Sequence, residues 1–295
     1  MILQTNVKLN FGLNVIRKRP DGYHDIETLF VPCHEFGDTL EVITGDDYSR
    51  TSSSLFARYG ASNAPEGLGN QLVQGISEDG KLMITIARED GVDWEPLKDL
   101  CAKAYYLLDN DFHLPSVKIF LEKKAPVGAG LGGGSADAAF MLKAINELCG
   151  LNLSNVTLAE YASRLGSDCA FFIWNRPMIG TGRGEILEPF DLDLSGYDVK
   201  VLVPEGVSVS TAEAYSGIVP RCSNAGAVVP SSEFKAVLRS PVEEWKGRLV
   251  NDFETTVFKA HPELKAIKQS LYDSGAAYAA MSGSGSAVFG IYKKS

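Results

Sequence analysis

The stretch Ala125-Pro126-Val127-Gly128-Ala129-Gly130-Leu131-Gly132-Gly133-Gly134-Ser135-Ala136-Asp137-Ala138-Ala139 decides how this chain is read. Five glycines crowd a short loop, and strong helix formers follow at once. Upstream, Val117, Ile119 and Leu121 recur at the spacing of a half-buried strand. Downstream, Ala138, Met141, Leu142, Ile145 and Leu148 recur at helical spacing, and Gly150 sits where a helix would stop. The order is strand, glycine loop, helix. Glycine lets backbone N–H groups face inward with no side chain in the way. The first turn of the helix adds unpaired N–H groups and the positive end of its dipole. Such a place suits a polyphosphate.

Two common phosphate loops can be tested on these residues. A Walker A loop needs Gly, four residues, then Gly-Lys-Ser/Thr. Gly128, Gly133 and Ser135 fit that spacing, but Gly134 stands at the lysine position. A dinucleotide fingerprint is met by Gly128, Gly130 and Gly133. Its context is poor: Lys123-Lys124 and Pro126 separate the loop from its strand, and no acidic residue ends a following strand at the expected distance. An NAD-dependent oxidoreductase stays open as the alternative on this match. A flexible linker would lack apolar periodicity on both sides.

The chain has 295 residues, enough for one large domain or two ordinary ones. Hydrophobic residues make up 45% and charged residues 22%, as in a globular protein with a sizeable core. A net charge of −9 argues against a broad nucleic-acid or anionic-membrane surface, so a phosphorylated ligand must be held by specific groups. Cys33, Cys101, Cys149, Cys169 and Cys222 are odd in number and widely spaced, with no CxxC. That disfavours a disulfide framework or a zinc site and fits a reducing cytoplasm. Each reads as a small buried residue. Gln4, Asn6, Lys8 and Asn10 interrupt any secretory signal, and no run is long enough to cross a bilayer.

Along the chain, residues 3–18 read as a strand with Val7, Leu9 and Phe11 on one side and Lys8 and Asn10 on the other. Further strands are expected over 26–31, 39–44 and 81–87, and a helix over 97–108. The polar segment 45–80, with Thr51-Ser52-Ser53-Ser54, reads as short strands and a long excursion. A second half begins near Leu153. It holds a helix over 157–165 that Gly166 can end, an apolar strand over 171–174, a glycine-rich turn over 180–184 and a strand over 199–203. Helices over 234–238 and 262–272 follow, then strands over 278–281 and 287–292 around Ser282-Gly283-Ser284-Gly285-Ser286. Two α+β lobes are expected, divided as 1–152 and 153–295.

The glycine loop, read as Pro-x-Gly-x-Gly-Leu-Gly-Gly-Gly-Ser, resembles the second motif of the GHMP kinases. Val7-Lys8-Leu9-Asn10 resembles their first motif, and Met281 to Phe289 their third. Within that superfamily four further stretches are similar to the 4-diphosphocytidyl-2-C-methyl-D-erythritol kinases: Arg19-Pro20-Asp21-Gly22-Tyr23-His24, Glu27-Thr28-Leu29-Phe30, Gly166-Ser167-Asp168 and Gly182-Arg183-Gly184-Glu185. The likeness spans nearly the whole chain with its motifs in order. It implies a two-lobed α+β fold, with a ribosomal-protein-S5-like N-terminal lobe and a ferredoxin-like C-terminal lobe. It implies ATP-dependent phosphorylation of a hydroxyl on a cytidine-diphosphate-linked methylerythritol. Another small-alcohol GHMP kinase is the nearest alternative.

The resemblance also assigns roles. Asp168 matches the catalytic aspartate and would act as base; by spacing alone it reads equally as a capping carboxylate. Lys8 matches the partner lysine, which would stabilise developing negative charge; unaided, it reads as an exposed strand lysine. Pro126, Val127, Gly128, Ala129, Gly130, Leu131, Gly132, Gly133, Gly134, Ser135 and Ala136 would wrap the phosphates of ATP. Ser135 can add a hydroxyl to Mg²⁺ or to a phosphate, and can also cap the helix. Tyr23, His24 and Phe30 match a cytidine pocket, and Asn10, Gly283 and Ser284 would also meet the substrate. Three positions depart from the pattern: Val7 stands for the usual alanine, Ala136 for a second serine, and Asp99 for an asparagine near the adenine.

Overall fold

A computed structural model describes residues 1–45, 47–60, 70–221 and 231–294, so Cys222 lies outside the described residues. In chain order the strands are β1 (Ile2–Gln4), β2 (Val7–Lys18), β3 (His24–Cys33), β4 (Thr39–Thr44), β5 (Leu72–Ile76), β6 (Leu82–Arg88), β7 (Val117–Lys123), β8 (Met178–Thr181), β9 (Ile186–Pro189), β10 (Tyr197–Leu202), β11 (Tyr278–Met281) and β12 (Val288–Lys293). The helices are α1 (Ser52–Tyr59), α2 (Leu100–Phe112), α3 (Gly133–Leu148), α4 (Asn155–Leu165), α5 (Cys169–Trp174), α6 (Thr211–Ser216), α7 (Ser232–Arg239), α8 (Glu254–Ala260) and α9 (Pro262–Asp273).

These elements gather into two compact units. One comprises 1–7, 34–125 and 133–174; the other comprises 8–33, 126–132 and 175–295. Along the chain the segments of these two units alternate. The reason is strand pairing: β3 pairs antiparallel with β8, which ties the early segment to residues beyond 175.

The first unit is built on a five-stranded sheet in the order β1-β4-β7-β6-β5. β6 and β7 run parallel, pairing Leu82 with Val117, Ile84 with Ile119 and Ile86 with Leu121. The long connection that a parallel pair needs contains α2. Ile43, Ala87 and Phe120 pack with Leu55 of α1, and α3 packs against β4. Both faces of β7 are therefore covered, which is why Phe120, Glu122 and Lys123 are buried as well as Val117, Ile119 and Leu121.

Two short expectations fail here. The Thr51-Ser52-Ser53-Ser54 run opens α1 instead of a loop. The buried Glu41 carboxylate accepts from Ser49 Oγ, from the Arg50 and Thr51 amides and from Thr51 Oγ1, which fixes the turn ahead of that helix. Residues 171–174 belong to helix α5, not to a strand. A short apolar run has no readable period, and Phe171, Phe172 and Ile173 are buried all round, as a packed helix turn allows.

The second unit contains a four-stranded sheet, β2-β3-β8-β9, and a three-stranded one, β10-β12-β11. Leu13 and Val15 of β2 share a core with Phe253 and Val257 around α8, Leu264 and Leu271 of α9, and Ala279, Met281 and Val288 of the three-stranded sheet. Phe11 stacks on Phe289 at 4.9 Å and meets Trp245 edge-on at 6.0 Å. β2 is thus buried on both sides, and the polar alternation of Lys8 and Asn10 points into the protein instead of into solvent.

Candidate active site

The second unit brings several expected residues together. Lys8 is 3% exposed. Its ammonium donates to Asn10 Oδ1 and, at 2.9 Å, to the carbonyl of Gly130, and it stands 5.5 Å from the centre of the Phe30 ring. Asn10 Nδ2 donates to Thr28 Oγ1 at 3.0 Å, so the side chain is pinned with its oxygen toward Lys8. A β-carbon at Gly283 would lie 2.9 Å from Gly130 O, 3.2 Å from Asn10 Oδ1 and 3.3 Å from Lys8 Nζ. Lys8, Asn10, Gly130 and Gly283 form one tight group.

The glycine loop is fastened to this group through its carbonyls. Ala129 O accepts from the Ala287 amide at 3.1 Å and Leu131 O from the Lys8 amide at 2.9 Å. Gly130 O accepts from Lys8 Nζ and from Ser282 Oγ. Gly128, Gly130 and Gly132 all hold positive φ, near 74°, 74° and 73°. Among the described residues, no backbone N–H from Val127 to Gly132 is taken by another backbone group. Carbonyls turned into the protein and amides left over are what an anion-binding loop requires. The loop then passes directly into the first turn of α3, where four amides have no helical partner.

The turn 282–286 is the hairpin between β11 and β12 and also packs on the loop. Asn251, 2% exposed, donates from Nδ2 to the carbonyls of Met281 and Gly283, each at 2.8 Å. The Ser282 amide is taken by Ala287 O, and Ser282 Oγ accepts from the Asn10 amide. Asn251 was not singled out in the sequence at all, and Thr28 and Ser282 were quoted only within longer motifs, with no side-chain role. Nothing in one sequence marks a distant asparagine as the partner of a turn.

The cytidine trio is divided. Tyr23 is 54% exposed, with the Arg183 guanidinium 5.1 Å from its ring centre. His24 stacks on Tyr215 at 4.4 Å, and burial, with Lys18 nearby, holds its imidazole below the ordinary range. Phe30 lies six residues along β3, about 20 Å at the rise of a strand, and is buried beneath Lys8. Ser284 sits half-buried at the tip of the 282–286 turn.

In the first unit, Ser135 lies in the first turn of α3. Gly166 caps α4, and a β-carbon there would lie 3.1 Å from Cys169 Sγ and 3.9 Å from Ser135 Oγ. The turn that carries Asp168 is thus drawn up to Ser135. Asp168 is half-buried and directly precedes α5. Burial pushes the Cys169 thiol up to about 12, with a Ser135 hydrogen bond opposing, so it is no nucleophile. Asp99 caps α2: one carboxylate oxygen accepts from the Cys101 amide at 2.8 Å and the other from Trp94 Nε1 at 3.0 Å. An asparagine could offer a single oxygen to both donors, which accounts for the aspartate.

The chain is similar to known proteins over its full length. The 4-diphosphocytidyl-2-C-methyl-D-erythritol kinase of Bacteroides fragilis is 44% identical over 292 residues, covering 99% of this chain and 92% of that one. That of Parabacteroides distasonis is 42% identical over 294 residues, covering 100% and 92%. This chain belongs to the 4-diphosphocytidyl-2-C-methyl-D-erythritol kinase family. Residues 99–176 match the GHMP kinases N terminal domain and residues 235–295 the GHMP kinases C terminal. A crystal structure of 4-(cytidine 5'-diphospho)-2C-methyl-D-erythritol kinase superposes with a TM-score of 0.68 at 28% identity, over 98% of this chain and 89% of that one. A mevalonate kinase, at 12% identity and a TM-score of 0.61, shares the fold. Among the described residues no helix is long and apolar enough to cross a membrane.

Proposed function

We propose that this protein transfers the terminal phosphoryl group of ATP to a hydroxyl of 4-diphosphocytidyl-2-C-methyl-D-erythritol, a step in non-mevalonate isoprenoid precursor synthesis. The observation that carries the reading is the glycine loop with its carbonyls drawn onto Lys8, Ser282 and Ala287. With no Walker lysine, residues 126–136 hold the phosphates by amides and by the dipole of α3. Phosphoryl transfer needs mainly positioning and charge stabilisation. Asp168 takes the proton of the acceptor hydroxyl. Lys8, fixed by Asn10 and Gly130, steadies the charge that develops on transfer. Tyr23 and His24 receive the cytosine, and the amides of Gly283 and Ser284 meet the substrate's phosphates.

Magnesium accompanies the nucleotide in this reading. Among the described residues, no group of three or more His, Cys, Asp or Glu is arranged to hold a metal. Magnesium bound with a nucleotide keeps mostly phosphate oxygens and water, and the Ser135 hydroxyl, in the first turn of α3, is the protein group that would join it. Bound there, it would neutralise phosphate charge during transfer.

The test is turnover of Asp168→Asn and Lys8→Ala with nucleotide binding measured in parallel. General-base help is worth about a hundred- to ten-thousandfold. Turnover of each variant should fall by at least that order while ATP still binds. Near-normal turnover in either purified variant would remove its assignment.

A further inference from the structure

Beneath the start of α3, in the first unit, three buried charged side chains meet. The Lys123 ammonium bridges Asp38 Oδ2 and, at 2.5 Å, Asp137 Oδ2. Lys123 is 6% exposed, Asp38 0% and Asp137 1%. Thr5 closes the ring: its hydroxyl donates to Asp137 Oδ1 at 3.1 Å and accepts from the Asp38 amide at 3.0 Å. The other Asp38 oxygen accepts from the amides of Lys124 and Ala125, at 2.6 and 2.8 Å. Every polar atom of the cluster has a partner.

We propose that Asp38, Lys123 and Asp137 are positioning residues that hold the two ends of the glycine loop together and so set its affinity for nucleotide. The proposal rests on reading that loop as the nucleotide site. Ala125 leads into the loop and Gly133 leaves it. A β-carbon at Gly133 would lie 3.3 Å from Ala125 Cβ, 3.7 Å from Asp38 Oδ2 and 3.8 Å from Lys123 Nζ. The ends touch, and the cluster is what they touch against. Asp38 grips the incoming end through two amides. Asp137, one turn into α3, grips the outgoing end. Lys123 and Thr5 tie the two carboxylates to each other. Buried ion pairs are weak sources of stability, since apolar residues of equal volume often do as well, and their better-attested use is to fix one geometry among several. A loop that binds through amide direction has a specific need for fixed ends. Burial pushes Asp137 up to about 8, with Lys123 opposing and the Asp38 and Asp99 carboxylates adding to it, so the cluster holds one carboxylate in excess of its single lysine only at a cost.

The experiment measures dissociation constants of ADP and of the cytidine substrate, separately, for the wild type, Lys123→Met and Thr5→Val. Lys123→Met keeps the stem and removes the charge; Thr5→Val opens the ring without leaving a buried charge unpaired. The expected result is an ADP affinity tenfold or more weaker in Lys123→Met and at least threefold weaker in Thr5→Val. Substrate affinity should stay within twofold in both. Unchanged ADP affinity in folded variants overturns the proposal, and so does an equal loss for both ligands, which is general loosening. Should Lys123→Met fail to fold, Thr5→Val decides by the same criteria. Wild-type protein that does not bind ADP overturns the reading of the loop itself, a distinct outcome.

Discussion

Gly130→Ala should disable nucleotide binding, and Gly128→Ala is its internal control. Both glycines hold φ of +74°. An L-residue there costs about 1–2 kcal/mol in either position. The surroundings differ. A β-carbon at Gly128 has Ser208 Oγ as its nearest neighbour, at 4.0 Å, an ordinary contact. One at Gly130 would lie 2.3 Å from Ser282 O and 3.0 Å from both Gly285 N and Gly285 O. These are backbone atoms of a turn tied by Asn251 at two carbonyls and by Ala287 at the Ser282 amide. The turn has little room to yield, so the loop must move by about 1 Å to reach a normal contact distance. That displacement stretches the 2.9 Å bond from Lys8 Nζ to Gly130 O, a charged hydrogen bond worth about 1.5–3 kcal/mol. Strain and lost bond together come to about 3–5 kcal/mol. Since each 1.4 kcal/mol is tenfold, nucleotide affinity should fall by about a hundredfold or more for Gly130→Ala, and by no more than about thirtyfold for Gly128→Ala. Titration calorimetry with ADP reads both, and a circular-dichroism melt checks folding. Affinities of the two variants within threefold of each other would refute the argument that loop and turn are rigidly joined.

Two other predictions concern stability. Burial pulls the Lys143 ammonium down to about 8 from 10.5, while it donates to Phe172 O at 2.8 Å. Its folded pKa lies below the unfolded one, so the unfolded chain binds the proton more tightly between these values. Stability should rise with pH from about 8 to 10.5 and be lower near neutrality. The gap corresponds to about 3 kcal/mol, reduced by solvent screening and by the hydrogen bond to about 1 kcal/mol net. Lys143→Met should therefore raise Tm at pH 7 by about 2 °C and flatten this slope; a lower Tm with the slope intact contradicts it. Asp99→Ala should cost about 1–2 kcal/mol by removing the cap of α2 and shift Trp94 fluorescence, whereas Asp99→Asn should cost less because one oxygen still caps; equal losses would show that the single oxygen Asn retains gives α2 no cap.

Long, periodic elements were legible in the sequence because one burying face leaves a repeat. The helix after the glycine loop, the strand over Leu82–Arg88 and the C-terminal helix and hairpin all appear where the pattern places them. Cys33, Cys101 and Cys169 are buried and Cys149 is half-buried, in line with small apolar roles for most. What failed was short or long-range. Residues 171–174 carry too few positions to distinguish a period of 2 from one of 3.6. Lys8 reads as a surface lysine because a strand covered on both faces breaks the rule that alternate positions meet water. Lys123-Lys124 reads only as a basic pair between strand and loop, yet Lys123 is buried between carboxylates fourteen and eighty-five positions away. Only the fold brings Asp38 and Asp137 to it. The glycines of the loop were legible as a run; that its carbonyls are taken by Lys8, Ser282 and Ala287, with Asn251 holding the turn, follows from contacts across the chain that no motif spells out.

The most direct test of the central claim is ADP release by the purified protein offered ATP with one acceptor at a time. The acceptors are 4-diphosphocytidyl-2-C-methyl-D-erythritol, mevalonate, homoserine and galactose. Turnover with the cytidine compound alone, at a rate at least a hundred times that with any other, is the expected result. Comparable turnover of another acceptor, or none with the cytidine compound under conditions where ATP binds, would contradict it.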